Sequence, residues 1–262
     1  SHLMDFIWKE PKDVYKANVL RYASFDGDDI KSEVYSKTYF IDPEIENRYS
    51  FPIVSILTDS LNLFDYDTGI YIPGKVFDET GFNWWPIGNY HQRGSDWERD
   101  IHISYFENNG HLGFETDAGM RMRGYGSTSN PQKSFGVYFR DDYGKSMIEY
   151  PIFKGSENKS YKRLIFRNSG NDFLYTHFRD ALLQQMISSL DLDLQGFRPS
   201  IVFINGEYWG IHGIREKIDK HYFNYHYGID EDNINILGIC GDVEEGYNID
   251  YFELVDFLAT AD

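Results

Sequence analysis

Arg121 and Arg123 alternate with Met120 and Met122 immediately before a run of small and polar residues, Gly124 to Pro131. At the period of a half-buried strand the methionines face inward, and the two guanidinium groups take the opposite face beside the loop. Phe135, Val137 and Phe139 repeat the period on the far side, so Gly119 to Arg140 reads as two strands around a polar loop. Such a loop can aim backbone N–H groups and the Ser127 hydroxyl at an anion, with arginine supplying the balancing charge. Lys133 adds an ammonium that could neutralise phosphates, with Glu216 or Asp180 available to hold it in place. The same residues also fit an ordinary hairpin with a long polar loop and a solvated lysine.

Other chemistry is mostly excluded. The chain has no G-x-S-x-G, H-E-x-x-H, C-x-x-C or P-loop pattern, which removes the sequence-readable serine hydrolases, zincins, zinc ribbons and Walker-type NTPases. Gly124-Tyr-Gly126 starts like the glycine-rich loop of kinases but lacks the third glycine. His91, His102 and His111 match no ligand spacing with Asp96 or Glu98, so no metal ligand is assigned. Asp141 and Asp142 read as a solvated turn. Trp84, Trp85, Tyr90 and Trp97 fall in an irregular stretch between Pro73 and Arg99. They would form either an aromatic platform for a glycan or peptide, or packing over a sheet.

The 262 residues, 41% hydrophobic and 18% aromatic, suffice for one large domain, or one domain plus a piece of another, with a substantial core. Asp and Glu number 42 against 25 Lys and Arg, a net charge of -17, which argues against nucleic-acid or anionic-membrane binding through the overall field. Any phosphate site must therefore work locally. The one cysteine, Cys240, cannot form an intramolecular disulfide, and beside Ile236, Leu237 and Ile239 it is expected to be a buried, inert thiol. No apolar run is long enough to span a bilayer. Ser1-His-Leu-Met4 reads as the remnant of an expression tag.

The elements that must position these residues are strands and a few helices. Strands are expected over Tyr15–Phe25, Val34–Ile41, Phe51–Thr58, Ile70–Ile72, Ile101–Glu107, Lys162–Asn168 and Asn233–Ile239. Asn205-Gly206 predicts a tight hairpin between Ser200–Ile204 and Tyr208–Ile214. Helices are expected from His177 to Leu190, with Phe178, Leu182, Met186 and Leu190 on a buried stripe, from Glu216 to Tyr227 with Gly228 as a cap, and from Tyr251 onward. Asp242 to Gly246 reads as an acidic loop. The fold class is α+β, a mainly antiparallel sheet with packed helices.

Two resemblances add to this reading. Ala23, Phe25, Gly27, Ser32 and Thr38-Tyr-Phe-Ile41 are similar to the end of fibronectin-like modules of the chitobiase C-terminal type, so residues 5–48 are expected to be the end of a β-sandwich-like module or a linker. Arg121-Met-Arg-Gly124 with Ser127, Pro131-Gln-Lys-Ser-Phe135, Leu164-Ile-Phe-Arg-Asn168, Phe178-Arg-Asp-Ala-Leu182 and Asn205-Gly-Glu-Tyr-Trp-Gly210 through Arg215-Glu-Lys-Ile-Asp219 resemble the CotH family of spore-coat and secreted kinase-like proteins. Tyr49 to Asp59, Gly69-Ile-Tyr71, Gly74 and Gly94 to Glu98 resemble the front of its bacterial members, so the similarity covers residues 49–262.

That resemblance implies an atypical protein-kinase fold binding ATP with magnesium and phosphorylating a protein substrate, secreted or on a cell or spore surface. It places Arg121, Arg123, Ser127 and Lys133 on the nucleotide-phosphate side, with Asp180 or Glu216 as the lysine's partner. It also implies that the catalytic and metal-binding aspartates lie beyond Asp262, so this front portion of the domain is expected to be inactive alone. A non-catalytic glycan- or protein-binding module and a structural coat or scaffold role are the alternatives.

Overall fold

The structure is a computed structural model that describes residues 14–80 and 86–260. Seven strands form its centre: β1 (Ile53–Leu57), β2 (Arg99–Phe106), β3 (Leu112–Arg123), β4 (Ser134–Tyr138), β5 (Arg163–Arg167), β6 (Phe197–Ile204) and β7 (Glu207–Glu216). They run in the order β5-β7-β6-β1-β2-β3-β4, and β4 pairs with β5 again, so the sheet closes into a barrel. All of these pairs are antiparallel except β1 with β6. The α+β class with a mainly antiparallel sheet is therefore what the chain adopts. Closure removes the exposed edges that an open sheet would leave.

Alternation along the strands fills the barrel. Met120, Met122, Phe135, Val137, Leu164 and Phe166 are all buried in one core, which turns Arg121, Arg123, Arg163 and Arg167 to the outer surface. Asn205 and Gly206 take positive φ of 50° and 83°, the tight hairpin that this dipeptide favours. Ahead of the barrel, Asn18–Tyr22 pairs with Tyr35–Tyr39. This hairpin lies against the barrel wall: Thr38 Oγ1 is 2.8 Å from Ser55 Oγ, and Ala17 N–H donates to Gly206 O at 2.8 Å. Phe203 is the centre of a second, small core there, with Tyr15, Phe40 and Tyr49 around its ring.

Several elements differ from expectation for local reasons. Ile70 and Tyr71 are buried but form no strand, because their amides donate to Asn62 and Leu63 carbonyls. The helix expected from His177 is shorter, α1 (Arg179–Met186), and the stripe of Phe178, Leu182, Met186 and Leu190 is exposed while Ala181 is buried. A positive φ of 64° at His177 stops the helix from beginning earlier. Asp172 accepts the Arg179 amide at 3.0 Å and the Thr176 hydroxyl at 2.6 Å at that point, and the hydroxyl bond leads in holding its carboxyl down at about 2.

The second helix, α2 (Lys220–Tyr227), begins after Glu216, which belongs to β7; Asp219 caps its His221 and Tyr222 amides, and Gly228 closes it at φ 66°. The strand expected over Asn233–Ile239 shrinks to Ile236–Leu237, and its partner is the acidic stretch Val243–Glu245. Cys240 sits in the turn between them with φ 61° and is exposed, not buried. The turn is too tight to fold that side chain inward, since Gly238 N–H bonds directly to Asp242 O at 2.7 Å. The last helix, α3 (Ile249–Thr260), is exposed along its length.

Candidate functional site

On the outer wall of β3, β4 and β5 lies a cleft of about 510 Å³. Arg93, Arg121, Arg123, Arg163 and Lys217 line it with Tyr138, and Glu244 and Glu245 border it too. Strand pairing explains the assembly. Arg121 and Arg123 are opposite Gly136 and Ser134, and Tyr138 is opposite Arg163, so all project from adjoining strands to one face. A Cβ on Gly136 would come within 3.0 Å of Arg123 Cδ and of Tyr138, so the missing side chain is what lets Arg123 lie across β4.

Four of the five cations are anchored, two of them on one carboxylate. Arg93 donates to the carbonyls of Tyr90 (3.3 Å), Gln92 (3.0 Å) and Gly124. Arg121 Nε lies 3.1 Å from Glu98, which also holds Arg140 at 2.8 Å. Arg163 Nε is 3.1 Å from Asp219, and its Nη2 donates to His221 Nε2 at 2.8 Å. His221 Nδ1 is therefore the protonated nitrogen, donating to Glu231 at 2.6 Å. Lys217 shares Asp219 at 3.6 Å. Among the described residues, Arg93 and Arg123 have no carboxylate within ion-pair distance.

At Tyr138 the cations outweigh burial, although the chain as a whole is acidic. Burial pushes the Tyr138 phenol up, but Arg123, Arg121 and Lys217 outweigh it and leave the group below its ordinary value. The Arg121 guanidinium stands 4.0 Å over the Tyr138 ring. Arg93 is pushed down, first by burial and then by Arg123 and Arg121. A site that already works to hold its cations together is one that an oligoanion relieves.

The remaining candidates are distributed differently. Ser127 adjoins the cleft, since its Oγ is 2.6 Å from where a Cβ of Gly124 would stand. Lys133 is not on the cleft. It is 4% exposed, donates to the Thr128 and Asn130 carbonyls at 2.7 and 2.9 Å, and lies 4.0 Å from the Tyr90 ring centroid. Burial lowers its pKa to about 8. It pairs with neither expected carboxylate: Glu216 accepts from Asn158 at 2.8 Å, and Asp180 lies 2.6 Å from Arg167 and 2.7 Å from Arg215. The lysine thus clamps the loop from beneath, helped by Asn168, whose amide donates to Gln132 O at 2.6 Å. Lys133→Ala should cost about 2 kcal/mol in urea denaturation, because two buried carbonyls lose their donor; an unchanged midpoint would refute the clamp.

The aromatic platform is not assembled from the residues that can be followed. Tyr90 is buried on the Lys133 ammonium, and Trp97 is half-buried with Arg99 over its ring. Trp84 and Trp85 lie outside the described residues. Among the described residues no group of three His, Cys, Asp or Glu side chains is placed to hold a metal ion.

Arg163 and Tyr138 were open to the same alternation that singled out Arg121 and Arg123, had it been carried across to β4 and β5. Arg167 and Arg215, which flank Asp180, follow from it too. Arg93 carries no such signal, since it reaches the cleft from an irregular loop through backbone carbonyls. The family model described as CotH kinase protein matches residues 120–251, half of the chain, and so includes Arg121, Arg123, Tyr138, Arg163 and Lys217. No curated protein matches the chain. With those residues lying on the shared span, the chain belongs to the CotH kinase family.

Proposed function

We propose that this chain is the nucleotide-binding part of a CotH-type phosphotransferase that takes ATP and passes phosphate to a protein. The observation that carries the reading is the convergence of five cations on one cleft in a chain of net charge -17, two of them without a carboxylate partner among the described residues. The fit to an oligophosphate is chemical: guanidinium forks match phosphate oxygens, and the lowered Tyr138 phenol reports surplus positive charge. ATP bound with magnesium supplies the transferable phosphoryl group and a metal that shares the charge on its oxygens.

In this reading Arg93 and Arg123 grip the phosphates, Arg121 and Arg163 orient them from positions fixed by Glu98 and Asp219, and Ser127 offers its hydroxyl from the loop. Lys133 acts indirectly, by holding the loop's shape. Nucleotide binding is the step proposed for these residues. A secreted or surface location belongs to the same proposal; among the described residues no helix is long and apolar enough to cross a membrane.

Calorimetry with ATP and with inorganic triphosphate tests the reading. Arg123→Ala should weaken both about 10- to 100-fold, as expected for one or two charge-assisted bonds, and added salt should weaken wild type further. Wild-type binding that ignores Arg123→Ala would place the phosphates elsewhere.

A further inference from the structure

The cleft has one feature that an anion site does not need, a carboxylate facing its arginines. Glu245 Oε1 lies 3.5 Å from Arg163 Nη1. Arg163 already has Asp219, almost fully buried, at 3.1 Å, and Asp219 is shared with Lys217 at 3.6 Å. Glu245 is therefore the second carboxylate on that arginine and the one of the two that lines the cleft. Its neighbour Glu244 also borders the cleft, but successive strand residues point to opposite faces, and the Glu244 carboxylate lies near Gly238. Only Glu245 faces Arg163.

We infer that Glu245 makes the cleft bipolar and selects, among oligophosphates, those that carry hydroxyl donors beside the phosphates, as a ribose does. This inference rests on the nucleotide-phosphate reading above. Among the described residues Arg93 and Arg123 have no carboxylate within ion-pair distance, while Glu245, at the end of Val243–Glu245, presents an acceptor-only group to the same cleft. A bare oligophosphate filling the cleft meets that carboxylate as a like charge. A ligand whose phosphates end in a diol gives the same group one or two donors, and charge-assisted bonds to hydroxyls replace the repulsion. The strand that carries Glu245 is anchored by a short ladder to Ile236–Leu237 with a register shift, so replacing this side chain leaves the barrel core untouched.

The test compares ATP with inorganic triphosphate by calorimetry on the whole chain in EDTA, so that no metal bridges carboxylate and phosphate. In Glu245→Ala the ratio of ATP to triphosphate affinity should fall about tenfold, with ATP weakening and triphosphate tightening. Glu245→Gln, which keeps the length of the side chain, should tighten triphosphate likewise and move the ratio in the same direction. A ratio unchanged in both variants overturns the proposal, even if both ligands bind more tightly, because the carboxylate then only competes for the anion site. Triphosphate binding that is indifferent to Arg123→Ala overturns the phosphate reading itself and this proposal with it, whereas a response to Arg123→Ala with an unchanged ratio overturns this proposal alone.

Discussion

Lowering the pH from 6.5 to 5 should weaken the fold by about 2 kcal/mol through His212 alone. His212 is fully buried on β7; its Nε2–H donates to Lys133 O at 3.1 Å, and its Nδ1 accepts from Gln132 Nε2 at 3.2 Å. Burial holds its pKa down at about 4 from the ordinary 6.5, against the smaller opposing effect of its backbone bonds. In the unfolded chain the imidazole takes up a proton as pH falls through about 6.5; in the folded chain it does so only near 4. Between those values the unfolded state binds more protons, so stability falls with falling pH, and below 4 this residue adds no further loss. Urea midpoints at pH 7, 6 and 5 for wild type and His212→Gln measure it, since glutamine can serve the same two partners. Parallel pH slopes in the two proteins would show that His212 is not the group responsible.

Removing the carboxylate of Asp180 should destabilise the protein by about 3 kcal/mol. Asp180 stands between Arg167 of β5 and Arg215 of β7, at 2.6 and 2.7 Å. Arg215 is 1% exposed and its Nη1 has no partner among the described residues, so Asp180→Ala strands a buried cation. Burial already presses the Arg215 pKa down, with Asp180 the main opposing influence. Arg215→Met should cost much less, because the methionine fills the same space over the Phe197 ring without a charge to compensate. The double variant should then resemble Arg215→Met rather than the sum of both. Additive losses in a double-mutant cycle would mean that Asp180 and Arg215 do not depend on each other.

Strand alternation carried most of what was legible. It found the two faces of Gly119 to Arg140 and set Arg121 and Arg123 together, because a half-buried strand writes its geometry into every second residue, while the Asn205-Gly206 dipeptide marked the hairpin. Barrel closure was not legible, since the contact of β1 with β6 and of β4 with β5 leaves no local trace. The partners of Lys133 were not legible for a related reason. Its type suits phosphate, but the Thr128 and Asn130 carbonyls reach its ammonium first, and only the folded loop reveals that. The exposed stripe on α1 misled because its helix is tied to the barrel by charge through Asp180, leaving the apolar side outward. Cys240 misled through apolar neighbours that turn out to bracket a left-handed turn.

Pairing of β1 with β6 sets Ile53 beside Ile201, residues 148 positions apart (201 minus 53). The barrel therefore cannot close until most of the chain has been made, and that contact has to be found across a very long loop. Long-range strand pairing of this kind slows folding. Until it forms, β1, whose five residues are all buried in the finished barrel, keeps one edge open even after pairing with β2. The wall of β3, β4 and β5, which carries Arg121, Arg123 and Arg163, needs shorter connections and can form earlier, whereas Lys217 and Glu245 reach the cleft only after β6 and β7 have been made.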